Sequence, residues 1–263
     1  MKQRVISAII ALAIVIPLII LGNAYFTFGV SVIGLIGYYE IIKCKKDYII
    51  PKVLKVLGGL FLVVLILSGH RWTVPVIDRT SVIVAMFIAL LLPVIVYDNE
   101  KYNFNKALYL IASILFLGIA FALLIIIRDL NIKYLIMLIL ITTMTDMFAF
   151  FFGKLIGKNK LCPNISPKKT WEGTIMGSII GTFIASMYYI TFINSNTSLL
   201  VVIGCVLLLS LVGQLGDLLF SAIKRTNNIK DFSNIMPGHG GILDRLDSLI
   251  MVILTFSLLM GYL

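Results

Sequence analysis

Charge is what this sequence has least of. Of its 263 residues, 22 are Lys or Arg and 12 are Asp or Glu, so only 13% are charged, about half the share usual in soluble domains. A soluble fold would need a polar shell for a composition that is 60% hydrophobic, and the chain does not carry one. Cysteine is scarce as well. Cys44, Cys162 and Cys205 are odd in number and show no paired spacing, so neither a disulfide framework nor a zinc site is expected. No GxxxxGK[ST] phosphate loop is present. No internal repeat of the kind that marks many transporters is visible. The apolar runs do not alternate, which argues against a transmembrane β-barrel.

What is present is about nine apolar runs, at 4–22, 25–42, 53–69, 81–97, 107–127, 132–152, 174–193, 198–220 and 248–262. Most approach the ~20 residues a helix needs to cross a bilayer. The expected fold class is all-α, a polytopic membrane protein of about nine transmembrane helices forming one membrane-embedded domain, 1–263. The last run is short unless its helix begins inside the polar segment before it. The first run follows a basic "MKQR" and precedes Gly22-Asn23-Ala24, a signal-peptide pattern. It is too long for the usual apolar core and another run follows at once, so a retained first helix is expected.

With nine spans and a cytoplasmic N-terminus, all but four of the 22 Lys and Arg residues fall on the cytoplasmic side; the exceptions are Arg71, Arg79, Arg128 and Lys133. This is the positive-inside bias. It accounts for the net charge of +10 without a nucleic-acid partner, and it places the loops 153–173 and 221–247 on one face. Residues 1–130 read as helical scaffold, with Trp72, Tyr97, Tyr102 and Tyr109 near span ends, where amphipathic rings favour the interface. The loop "KCKKDYIIPK" is basic enough to touch anionic headgroups.

From residue 131 onward lies the chemical half. Asp146 stands inside an apolar run beside Thr142 and Thr145, and a carboxylate there normally faces a cavity, a metal or a partner. Past that run, "SPKKTWEG" sets Lys168, Lys169 and Thr170 just before a helix start, a pattern suited to phosphate. In "GQLGDLLFSAIKR", Asp217, Ser221 and Lys224 follow at intervals of four and three and so share one helical stripe, with Arg225 beside it. Lys230 and Asp231 come next. Then Pro237-Gly238-His239-Gly240-Gly241 describes a tight turn that permits close approach. Asp244 and Asp247 lie at i and i+3 if the last helix has begun. Oxygen ligands of this kind suit Mg²⁺ shared with substrate phosphates. Together these residues point to a phosphate-bearing lipid meeting a phosphate-bearing soluble partner at the membrane surface.

The segment "SAIKRTNNIKDFSNIMPGHGGILDRLD", residues 221–247, closely resembles the signature of the phosphatidate cytidylyltransferases, or CDP-diacylglycerol synthases. The matching positions are Ser221, Lys224, Arg225, Lys230, Asp231, His239, Gly240, Gly241, Asp244, Arg245 and Asp247. "DMFAFFFGKLIGK" and "SPKKTWEG" resemble other shared segments of that family. Met236 stands where the family more often has Leu, Ile or Phe, a soft apolar replacement. The resemblance implies that CTP and phosphatidic acid yield CDP-diacylglycerol and pyrophosphate in phospholipid biosynthesis at the inner membrane. It also implies dependence on Mg²⁺, room for a second cation such as K⁺, and a homodimer. On that basis Asp217 and Asp244 are the first-choice metal ligands, with Asp247 and Asp146 behind them. Lys224, Arg225, Lys168, Lys169 and Arg245 would hold phosphates. Ser221 would bond a phosphate or a ligating carboxylate, and His239 would orient a phosphate over Gly240 and Gly241. The expected outcome for Asp244→Ala is abolished turnover in a protein that still folds in membranes, checked by product formation alongside a thermal unfolding curve.

Overall fold

The computed structural model describes residues 2–45, 48–69 and 78–263. Lys46 and Asp47 of the basic loop, together with Arg71 and Trp72, lie outside the described residues. The chain divides into two compact units, Met1–Leu130 with Asp231–Asp244, and Asn131–Lys230 with Arg245–Leu263.

In the first unit, α1 spans Lys2–Leu21, α2 Asn23–Cys44, α3 Lys52–Leu67, α4 Arg79–Leu91, α5 Pro93–Val96 and α6 Phe104–Leu130. Helix α6 is central, packing against α2, α3 and α4. Leu62, Leu65, Ile66, Leu110, Ile114 and Phe121 form the buried interior. The break between α1 and α2 falls at Gly22, whose φ of 65° is a backbone state that side chains disfavour. The Arg128 guanidinium occupies the space beside it and donates to the carbonyls of Ile19 at 3.0 Å and Ile20 at 3.2 Å. Those are C-terminal carbonyls of α1 that would otherwise lack partners. Tyr102 departs from the interfacial role expected of it. It is fully buried and donates to the Leu90 carbonyl at 2.8 Å, because a phenol inside a helix packing needs an acceptor. Lys43, Lys52 and Lys55 contribute to the lining of a groove of about 650 Å³ between α2 and α3.

In the second unit, α7 spans Ile132–Leu155, α8 Trp171–Phe192, α9 Leu199–Thr226 and α10 Leu243–Leu259. The first residues of α10, up to Asp244, count with the first unit. Between α7 and α8 the chain makes a two-stranded antiparallel hairpin, β1 Lys160–Cys162 with β2 Ser166–Thr170. It is a small exception to the all-helical expectation. Pro163 and Asn164 sit in its turn region, where such residues favour reversal. Helices α7 and α8 approach closely because Gly173, Gly177 and Gly181 recur every fourth residue along α8. A Cβ at these positions would fall 2.5 Å from the Ala149 carbonyl oxygen, 2.6 Å from the Thr145 carbonyl oxygen and 2.4 Å from Thr145 Oγ1. Small residues at this spacing let membrane helices pack backbone to backbone.

Among the described residues, six helical stretches are long and apolar enough to cross a membrane: α2, Arg79–Val96 across α4 and α5, α6, α7, α8 and α9. Helix α1 contributes a shorter apolar stretch, Ile9–Leu21, while α3 has 16 residues and α10 has 17. Large side chains such as Phe28, Val96, Phe183 and Leu200 stand on the outside, Val96 at 83% exposure. Water would penalise that surface, whereas hydrocarbon does not. Gly177→Val should cost on the order of 1–3 kcal/mol by forcing α7 away, read as a lower unfolding midpoint in detergent. Gly204→Val, with nothing within 4 Å of its Cβ, should leave the midpoint nearly unchanged.

Candidate active site

The polar residues of the second unit converge on α9. Its last turns carry Asp217, Ser221 and Lys224 on the expected stripe. The Ser221 hydroxyl donates to Asp217 Oδ1 at 3.3 Å, and Lys224 is buried, with 7% exposure. The hairpin brings the second contribution. Along β2 the side chains alternate, so Lys168 is exposed while Lys169 turns towards the helices. Lys169 Nζ lies 2.6 Å from Asp217 Oδ2 and donates to the Gln214 carbonyl at 3.3 Å. The hairpin is held in place by Thr170 and Arg225. Thr170 caps α8, its hydroxyl accepting from the Gly173 amide at 3.2 Å. Arg225 donates to the carbonyls of Ile165 at 3.4 Å and Ile229 at 3.1 Å. In the structure, therefore, Thr170 and Arg225 hold the two polar segments of this unit together.

Asp146 reaches the same group from α7, where the charges of Lys169 and Asp217 act on it. It lines a narrow cleft with Thr142, Thr145, Ser210, Gln214 and Ser248. Thr145 and Ser210 share a hydrogen bond at 2.8 Å across α7 and α9. Gln214 joins α9 to α8, donating to Ser178 Oγ at 2.7 Å and the Thr174 carbonyl at 3.2 Å. Asp247 comes from α10, and the charges that act on it are those of Asp217, Lys224 and Asp146. The backbone of α10 approaches α9 at Gly216, where a Cβ would lie 3.0 Å from the Asp247 carbonyl oxygen. Three carboxylates and two lysines thus share one electrostatic neighbourhood. Gln214 was not among the residues singled out from the sequence; its signal was an amide inside an apolar run.

Of the remaining signature residues, Asp231, His239, Gly240, Gly241 and Asp244 belong to the first unit, and Lys230 and Arg245 to the second. Met236 and Gly240 close a tight turn, with the Met236 amide donating to the Gly240 carbonyl at 2.9 Å. Gly238 and Gly240 have φ of 78° and 86°, the left-handed states the Pro-Gly-His-Gly-Gly string implies. His239 Nδ1 and Ser7 Oγ share a hydrogen bond at 2.7 Å. Asp244 Oδ2 accepts from the amides of Phe232 and Gly241, each at 2.9 Å, so this carboxylate cross-links the two legs of its own loop. Asp231, Lys230 and Arg245 are exposed. A second residue that sequence reasoning passed over is Glu40 on α2, fully buried. It accepts from Ser233 Oγ at 2.5 Å and from the amides of Ile242 and Leu243 at 2.9 Å each. A lone acid in an apolar run was its only signal.

Carboxylate oxygens are the right donors for a hard divalent cation, and mutual repulsion among Asp146, Asp217 and Asp247 is what such an ion would relieve. In kind, the residues fit Mg²⁺. Among the described residues, no group of three or more His, Cys, Asp or Glu side chains already converges as a ligand shell.

A many-span helical protein with paired carboxylates and lysines against its helix ends is equipped to handle phosphates beside lipid. The cytidylyltransferase family matches residues 2–263. A phosphatidate cytidylyltransferase of Staphylococcus aureus (strain COL) is 35% identical over 264 residues, covering 99% of each chain. Those of Staphylococcus haemolyticus and Staphylococcus epidermidis are 34% and 33% identical over 262 residues, again covering 99% of each. The chain belongs to the cytidylyltransferase family.

Lys169→Met should lower the nucleotidyl-transfer rate by about 10²–10³-fold, the usual cost of deleting one preorganised charge at a reacting phosphate. Lys168→Met, on the opposite face of β2, should cost no more than a few-fold. Initial rates of the two purified variants, side by side, check the contrast.

Proposed function

We propose that this protein transfers the cytidylyl group of CTP to phosphatidic acid, releasing pyrophosphate and leaving CDP-diacylglycerol in the bilayer. The observation that carries this reading is the Lys169–Asp217–Ser221 arrangement on α9, with Asp146 and Asp247 in its electrostatic field. It supplies cations for two polyanionic reactants and carboxylates for a metal. The full-length similarity to proteins named phosphatidate cytidylyltransferase supplies the substrates.

In the reaction, a phosphate oxygen of phosphatidic acid attacks the α-phosphorus of CTP. The bond from that phosphorus to the bridging oxygen of the β-phosphate breaks, and pyrophosphate leaves with the electron pair. Both reactants are anionic, so the protein's main tasks are alignment and charge neutralisation. Lys169, released from Asp217 when an anion arrives, and buried Lys224 would hold phosphate oxygens. Ser221 would keep Asp217 oriented or donate to a phosphate. Asp217 and Asp247, with Asp146 behind them, would hold Mg²⁺, which when bound neutralises charge on the phosphates. This reading moves the metal from Asp244 to Asp247, because Asp244 is committed to the amides of its own loop. Arg225, Lys230 and Arg245 would add positive charge for the phosphates, while Asp231, His239, Gly240 and Gly241 enter this reading through the family signature alone. A K⁺ ion beside Mg²⁺ rests on the family resemblance alone, as does the homodimer.

The same reading gives about nine spans, counting α1, α3 and α10 with the longer helices, and an N-terminus in the cytoplasm. The Lys and Arg distribution supports that orientation. The loops 153–173 and 221–247 then face the cytoplasm, where CTP is, and the acyl chains remain in the inner membrane.

Purified protein in detergent with CTP, Mg²⁺ and phosphatidic acid should release pyrophosphate and form a CDP-lipid in equal amounts, and EDTA should stop both. Release of CDP in place of pyrophosphate would indicate a lipid kinase and overturn the proposal. Solute flux without nucleotide consumption would indicate a transporter.

A further inference from the structure

Glu40 lies in the C-terminal part of α2, Asn23–Cys44, in the half of the chain that composition marks as scaffold. It is fully buried. A buried carboxyl without partners is strongly disfavoured, and here every partner comes from one loop. Ser233 donates to Oε1 at 2.5 Å and the Ile242 amide to Oε1 at 2.9 Å, while the Leu243 amide donates to Oε2 at 2.9 Å. Leu243 is the first residue of α10, so the carboxylate satisfies amides that helix geometry leaves unpaired and stands where the helix dipole favours negative charge. The contact is close enough to dictate sequence. A Cβ on Gly241 would lie 2.4 Å from Glu40 Oε1.

Both legs of the loop are therefore pinned. Ser233 on one leg and Ile242 and Leu243 on the other meet at Glu40, and Asp244 ties Phe232 to Gly241 within the loop. Between the pinned legs stands the turn closed by Met236 and Gly240 that presents His239. Removing the Glu40 contacts would leave three donors without that acceptor and let the legs part.

We infer that Glu40 is a positioning residue for cytidylyl transfer: it sets the backbone of residues 232–244 and acts on the reaction only through them. The inference rests on the function proposed above. It assigns to a scaffold helix a part in the chemistry, since displacing a substrate-holding group by ~1 Å can cost ~10²-fold in rate.

Glu40→Gln keeps the shape but turns an amide N–H₂ towards at least one of the loop's donors. The expected result is a kcat at least about tenfold lower, with KM for CTP and for phosphatidic acid within about threefold. Amide hydrogen exchange in 232–243 should be faster, and the unfolding midpoint should stay within a few degrees. A double-mutant cycle gives a second arm. Gly241→Ala collides with Glu40 in the parent but not in Glu40→Ala, so its effect on kcat should be clearly smaller in the second background. A Gln variant with wild-type kcat, or effects in the cycle that simply multiply, would overturn the inference. Should Glu40→Gln fail to fold, Ser233→Ala decides the matter. A several-fold lower kcat at an unchanged midpoint supports the role, and an unchanged kcat overturns it. Wild-type protein without turnover would bring down the proposed reaction together with this inference. An active wild type beside an equally active Glu40→Gln brings down this inference alone.

Discussion

A carboxylate placed among apolar helices has to be met by donors or by a cation, and much of this structure is arranged to meet four of them. Asp217 is met by the Lys169 ammonium and the Ser221 hydroxyl. Glu40 is met by a hydroxyl and two amides from one loop. Asp146 and Asp247 share the field of Asp217 and of the nearby lysines. Each solution draws a distant piece of chain to a fixed place: the hairpin to α9 in one unit, and the loop 231–244 to α2 in the other.

The two solutions differ in what they allow. An ion pair between Lys169 and a partly exposed Asp217 can be exchanged for other ionic partners, because both members would find equal or better company if phosphate and a divalent cation arrived together. That is the behaviour a nucleotidyl-transfer site requires. The Glu40 contacts are neutral donors on a fully buried acid, and a migrating ion cannot replace them. They suit a permanent anchor. On the proposed reading, the chain keeps its exchangeable polar contacts where substrates would be handled and its fixed ones where a loop must hold still.

Close packing serves the same end. The glycine row on α8 lets α7 approach until backbone meets backbone, and this delivers Asp146 to the side of α9. Arg128 and Gly22 settle the turn between α1 and α2 by a similar exchange of side-chain volume for a guanidinium. In a membrane, where apolar burial between helices gives little, such close approaches and a few hydrogen bonds account for most of the specificity of packing.

The sequence by itself determined a great deal. Long apolar runs without alternation and the scarcity of charge point to helices in a bilayer, because a helix satisfies its own backbone amides where water is absent. Helical spacing alone put Asp217, Ser221 and Lys224 on one stripe, and glycine and proline around His239 required the turn that is found. The fate of individual side chains was decided by tertiary structure. Nothing local says that Lys169 pairs with Asp217 while Lys168 does not, that Thr170 caps a helix, or that Tyr102 is buried with its hydroxyl on Leu90. Glu40 escaped notice because its partners lie some two hundred residues further along the chain. Asp244 stood ahead of Asp247 as an expected metal ligand, yet Asp244 accepts from the amides of its own loop, while the charge of Asp217 acts on Asp247. Periodicity acts over a few residues and can be read from them. A carboxylate's partners are chosen by which distant segments fold against it, and only the folded chain contains that information.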